Sequence, residues 1–100
     1  MYCIIYSFKV REGMDKIFID AWTEVTRAYI EHAGGLGSRL HKNSNNEYIA
    51  YAQWPSEDAR NKADLPDAIK NGASKIMGEC CESINTLYQL TLVADLLVKV

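Results

Sequence analysis

The sequence predicts an α+β fold, a four-stranded antiparallel sheet in the ferredoxin-like order β-α-β-β-α-β with both helices on one face. Three observations carry this expectation. Period-two apolar runs open and close the chain and flank an Asn-rich turn near its middle, a period-3.6 stripe fills residues 14–32, and a second helical pattern follows Pro66. In 100 residues these elements amount to a single domain, 1–100, with no linker, repeat or low-complexity segment between them.

Tyr2 to Val10 is rich in β-branched and aromatic residues and is followed by the turn Arg11-Glu12-Gly13, which predicts the first strand. Tyr2, Ile4, Tyr6, Phe8 and Val10 share one face, and Cys3, Ile5, Ser7 and Lys9 the other. Both faces are largely apolar, as in a central strand covered on two sides. From Met14 to His32 the positions Met14, Ile17, Phe18, Ala21, Trp22, Val25, Ala28, Tyr29 and His32 step by three and four, the stripe of one long helix. Gly34 and Gly35 after Ala33 end it, because glycine enters the left-handed cap conformation freely.

Leu36 to Lys42 and Glu47 to Trp54 read as the arms of a hairpin across Asn43-Ser44-Asn45-Asn46, residues that tolerate positive φ or bond their own backbone. Pro55 stops the second arm. Ser56 supplies an N-cap, and Glu57 and Asp58 suit the positive end of a helix dipole, so a short helix runs to about Ala63. Pro66 restarts a helix with Ile69, Ala73, Ile76, Met77 and Cys80 on one face, weakened by Gly72 and Gly78. From about Ile84 to the end the chain alternates as a last strand, with Tyr88, Leu90, Leu92, Ala94 and Leu96 on one face and Leu87, Gln89, Thr91, Val93 and Asp95 on the other.

In this arrangement Ile5, Ile49, Tyr51, Leu87 and Val93 fall on the sheet face away from the helices. An apolar face left in water invites association, so a homodimer packed sheet against sheet is expected. Hydrophobic residues make up 48% and charged residues 24%, the balance of a folded globular protein. The 11 basic residues are scattered among 13 acidic ones, so no phosphate-tracking surface forms and nucleic acid is not an expected partner. Cys3, Cys80 and Cys81 are odd in number and two are adjacent, which suits neither a disulfide framework nor a metal site and fits a reducing cytoplasm. Neither a secretory signal pattern nor an apolar run of membrane-spanning length occurs, so no membrane association is expected.

Cofactor motifs are absent: there is no GxGxxG, P-loop, HExxH or nucleophile elbow, so neither a cofactor nor a metal is expected. The chemistry then rests on strand and helix side chains. Ala50 and Ala52 lie between the bulky Tyr48 and Trp54 on one face of the third strand; two small residues flanked by aromatics either leave room for a flat ligand or let the helices pack down on them. Tyr6 and Trp22 each place a polar tip on an apolar body and suit a ligand contact or a hydrogen-bonded core position. Arg39 and His41 share one side of the second strand, where they hold an anionic oxygen or simply face solvent. His32, at a helix C-terminus, suits a structural cap. Cys80 and Cys81 serve either packing or redox sensing.

The run Gly34-Gly35-Leu36-Gly37-Ser38-Arg39-Leu40-His41, the strand Tyr48-Ile49-Ala50-Tyr51-Ala52-Gln53-Trp54-Pro55-Ser56 and the late Ala94-Asp95-Leu96-Leu97 together resemble the antibiotic biosynthesis monooxygenase family. The first strand with Arg11-Glu12-Gly13, and Trp22 of the long helix, extend the resemblance over nearly the whole chain, weakest from Arg60 to Ser83. It implies a dimeric α/β barrel of two ferredoxin-like subunits. It further implies oxidation of a phenolic, anthrone or quinol-like molecule by molecular oxygen without flavin, metal or haem. Trp54 matches the tryptophan that lines the family pocket, and Tyr6, Trp22, Arg39 and Tyr51 match family strand and helix positions. The haem-degrading branch has an asparagine where this chain has Ser7, and a histidine near the second helix, whereas none follows His41 here; haem degradation is disfavoured.

The expected function is therefore a small cofactor-independent monooxygenase acting on an aromatic or quinol-like molecule. Trp54, Tyr51, Arg39 and His41 are its candidate catalytic groups, and Tyr6, Trp22, Tyr48, Ala50 and Ala52 its candidate substrate contacts. A binding or structural module of the same fold, and an isomerase of a small unsaturated metabolite, are the alternatives.

Overall fold

The structure, a computed structural model, describes residues 1–98. Along the chain come β1 (Tyr2–Val10), α1 (Asp15–Ala33), β2 (Ser38–Lys42), β3 (Glu47–Trp54), α2 (Glu57–Lys62), α3 (Asp67–Asn71), α4 (Ala73–Glu79) and β4 (Cys81–Thr91). The strands form one antiparallel sheet in the order β2-β3-β1-β4, the ferredoxin-like arrangement that the element order predicts. Helices cover one face. Between them and the sheet lies an aromatic core in which Phe18 of α1 is fully buried, 5.1 Å from the rings of both Phe8 and Tyr48.

Local chemistry explains most boundaries. Gly34 adopts the left-handed conformation (φ 76°) and, with Gly35, returns its N–H to the Tyr29 carbonyl to close α1. Asn45 and Asn46 both take φ 59° in the β2–β3 turn, the tolerance that this composition predicts. Ser56 Oγ accepts from the Ala59 N–H at 3.0 Å and starts α2. The buried stripe of α1 is narrower than its spacing suggests, with Phe18, Ala21, Val25 and Ala28 inside and Ile17 outside.

Four expectations are corrected. The strand expected from Leu36 begins at Ser38, because Gly37 at φ 102° turns the chain even though Leu36 and Gly37 still bond Gln53. The helix expected after Pro66 breaks at Gly72 into α3 and α4, and the break turns Ile76 out to solvent. The last strand starts earlier and stops earlier than expected, at Thr91; the Leu92 N–H still bonds the Met1 carbonyl, residues 93–98 pair with no strand, and the expectation for 99 and 100 lies outside the described residues.

The faces of β4 are also exchanged beyond residue 86. Tyr6 pairs with Thr86 and Ile5 with Tyr88, so Leu87 is left without a partner, a bulge that puts Tyr88 and Leu90 on the outer face and Gln89 and Thr91 on the helix side. The outer face then carries Ile5, Ile49 and Tyr51, half-buried, beside Tyr88 and Leu90, exposed at 63% and 45%. Val93 does not belong to the sheet.

Candidate functional site

The antiparallel register sets Tyr6 against Ala50, Ile4 against Ala52 and Tyr2 against Trp54, with Ser38 of β2 beside Ala52. All of these residues face the helices. Two alanines in a row otherwise filled by aromatics leave a hollow, and α1 spans it with Trp22, Val25, Thr26 and Tyr29, which share a helix face at spacings of three and four. Met77 and Ser74 of α4, Ile84 of β4 and Arg60 of α2 complete the walls. The cavity, open to solvent on one side, measures about 290 Å³.

Its polar groups are few and their geometry is specific. Arg60 Nη2 donates to the Tyr6 hydroxyl at 3.1 Å, and the guanidinium lies 5.8 Å from the centre of the Trp54 ring. Tyr29 meets Trp54 edge-on at 5.4 Å and 79°. Burial works against the Arg60 charge, but the phenol oxygens of Tyr6, Tyr29 and Tyr2 outweigh it and push the guanidinium pKa up. Burial pushes the Tyr29 phenol up, against the pull of Arg60. Ser38 Oγ is buried and has no hydrogen-bond partner among the described residues. Ser56, by capping α2, holds the segment from which Arg60 reaches in.

Of the candidate residues, Tyr6, Trp22, Ala50, Ala52 and Trp54 come together here. Tyr48 does not join them. Its ring packs on Phe18 and its hydroxyl donates to Asp15 Oδ2 at 2.5 Å, a bond that ties the start of α1 to β3. Arg39, His41 and Tyr51 lie on the opposite face of the sheet: Arg39 pairs with Tyr51, His41 with Ile49, and the Tyr51 hydroxyl is 2.9 Å from Cys3 Sγ. The sheet itself separates these three from the cavity. His32 sits in the last turn of α1 beside Glu31, and the helix cap is supplied by Gly34. Cys80 and Cys81 are buried free thiols in the core, and burial pushes Cys81 up to about 11.

Arg60, Tyr29 and Ser38 were not singled out from the sequence. Nothing in the sequence marks Arg60; in the structure Ala63, three residues on, packs against the Tyr2, Ile4 and Trp54 cluster, so the two residues share the inward face of the segment that Ser56 starts. Among the described residues no group of three or more His, Cys, Asp or Glu side chains is placed to hold a metal.

The family model for antibiotic biosynthesis monooxygenases matches residues 1–64. No significant match is found among curated proteins. Among solved structures, a variant of SnoaB, a cofactor-independent oxygenase from Streptomyces nogalater, superposes with a TM-score of 0.76 at 15% identity, over 95% of each chain. A proposed antibiotic biosynthesis monooxygenase from Caulobacter crescentus CB15 gives 0.76 at 18% identity, over 93% of this chain and 90% of that one. One from Bordetella bronchiseptica gives 0.75 at 19%, over 93% and 97%. At these identities the likeness establishes the fold.

Proposed function

Because the chain belongs to the antibiotic biosynthesis monooxygenase family, we propose that its cavity binds a phenolic, quinol or anthrone-like molecule and oxidises it with molecular oxygen. One observation carries the reading: a cavity of about 290 Å³ walled by Trp54, Trp22 and Tyr29 over Ala50 and Ala52, with the Arg60–Tyr6 pair as its polar group. Flat apolar walls suit an aromatic ring and keep water from the reacting carbon. The Arg60 guanidinium stabilises negative charge on a substrate oxygen. Loss of a proton from an activated CH2 gives a carbanion, which passes its electrons to oxygen and forms a C–O bond. The resulting hydroperoxide loses water to leave a carbonyl, so the substrate supplies all the electrons and no reductant enters the balance.

Oxygen uptake by the purified protein, without added cofactor, across a panel of quinols and anthrones tests the reading. Uptake above the spontaneous rate is expected, falling by about a hundredfold in Trp54→Ala if the wall sets the reacting geometry. Uptake at the spontaneous rate across the panel overturns catalysis and leaves a ligand-binding module. The same reading includes a homodimer joined through the outer sheet faces. Support comes from Tyr88 and Leu90 in the open beside Ile5, Ile49 and Tyr51, and a monomer in sedimentation at micromolar concentration overturns it. The three free cysteines support a reducing, cytoplasmic setting, and no helix among the described residues is long and apolar enough to cross a membrane.

A further inference from the structure

We propose that the cavity takes its ligand as a preformed anion, held by Arg60, and that no side chain lining the cavity removes a proton from it. The inference rests on reading the cavity as a ligand site, and it names the ligand's charge state and the residue that selects it. The lining residues include one cation, Arg60, and neither Asp, Glu nor His. Arg60 makes no ion pair with a carboxylate among the described residues; its side-chain partners are the Tyr6 hydroxyl and the Trp54 ring. A half-buried guanidinium whose one hydrogen bond goes to a phenol keeps donors free for an anionic oxygen.

The charged and titratable groups around Arg60 do not supply a base. From β1 they are Tyr2 and Tyr6, from α1 Tyr29, from α2 Glu57, and beyond α2 Asp64. Burial raises Tyr29, which keeps that phenol neutral in the neutral range. Asp64 is engaged with Lys70 at 2.7 Å, which holds its carboxyl below the usual range and leaves it a poor base. Glu57 is exposed on the outside of α2 and lines no part of the cavity. Neither histidine lines the cavity: His32 stands in the last turn of α1 beside Glu31, and His41 lies on the outer sheet face. Ligand binding between pH 6 and 9 therefore follows the ligand's own ionisation and not that of a protein group.

Calorimetric binding of four ring compounds to the whole protein tests this: 2-naphthoate, its neutral counterpart 2-naphthamide, 4-nitrophenol, which ionises near neutrality, and 2-naphthol, which ionises well above it. The expected result is 2-naphthoate bound about tenfold tighter than 2-naphthamide, with no change in its affinity from pH 6 to 9. Across that range 4-nitrophenol tightens along its own titration, and 2-naphthol stays weak until it ionises. Arg60→Gln abolishes the preference for 2-naphthoate over 2-naphthamide, and Arg60→Lys keeps part of it. The inference is overturned if the naphthamide binds as tightly as the naphthoate, or if all ligands share one pH midpoint, which would be the mark of a protein base. Those outcomes leave the ligand site standing, whereas failure of all four compounds to bind removes the site and the inference together. The pH series uses the wild-type protein, so the test does not depend on a variant that folds.

Discussion

Ala52→Leu separates an open cavity from a closed core by the sign of a stability change. Ala52 lies on the helix side of β3, between Ile4 and Ser38, and faces the hollow under α1. Leucine adds three carbon atoms there. If the space is open, burying them gains up to about 2 kcal/mol at about 0.8 kcal/mol per methylene, and about half of that for a site still partly in contact with solvent. In a 100-residue domain such a gain raises the melting temperature by roughly 5 °C. If α1 were instead packed down on the alanine, the same atoms would overfill the core and cost about 1–3 kcal/mol. Urea and thermal denaturation read the sign, with 2-naphthoate binding measured alongside. The expected pair is a protein at least as stable as wild type with aromatic binding weakened more than tenfold. A fall in melting temperature with binding unchanged would refute the cavity.

Three further outcomes follow from local geometry. Ser56→Ala removes the cap of α2 and costs about 1 kcal/mol of stability. Because Arg60 enters the cavity from that segment, the preference for anionic over neutral ligands weakens with it, as paired calorimetric titrations would read. The bond from Tyr48 to Asp15, aided by Lys42, holds the Asp15 carboxyl below its usual range and pushes the Tyr48 phenol up. Its contribution is therefore present above the unfolded carboxylate pKa and lost as pH falls through the depressed one. On the alkaline side it is present below the ordinary phenol pKa and lost as pH rises through the raised one. Tyr48→Phe should flatten both limbs in urea midpoints measured from acid to alkaline pH. Finally, Cys3, Cys80 and Cys81 are all buried, so a thiol reagent at pH 8 should modify them only as fast as the protein opens, and instant labelling of any one would contradict the packing.

The elements legible in the sequence are those whose signal is local. The stripe of α1, the two asparagines of the hairpin turn and the Ser56 cap each announce themselves within a few residues, and each appears in the structure. The hollow was half legible: Ala50 and Ala52 between Tyr48 and Trp54 mark a place where a strand lacks bulk, but only the position of α1 decides whether anything fills it. Arg60 was hidden because a charged residue on a short polar helix looks like solvent decoration until that helix is laid against Trp54. Arg39, His41 and Tyr51 stand apart from the hollow for the converse reason. Their chemistry suits an active site, but strand alternation places them on the far face, and alternation alone does not say which face carries the hollow.

The end of the chain is illegible in the sequence because a period of two cannot register a residue that pairs with nothing. After Leu92, whose N–H bonds the Met1 carbonyl, the apolar composition of β4 continues to Val98 without a neighbouring strand, so composition overruns structure there.

Leu87, like Glu82 nearer the start of the strand, is a spare residue of β4. Removing it would bring Thr86 and Tyr88 into regular succession against Tyr6 and Ile5 while every later side chain kept its present face. A homologue one residue shorter at this point would thus retain the same inside and outside. When relatives are compared, a single gap opposite position 87 is structurally neutral, whereas the same gap placed within β1 would exchange its two faces and dismantle the core.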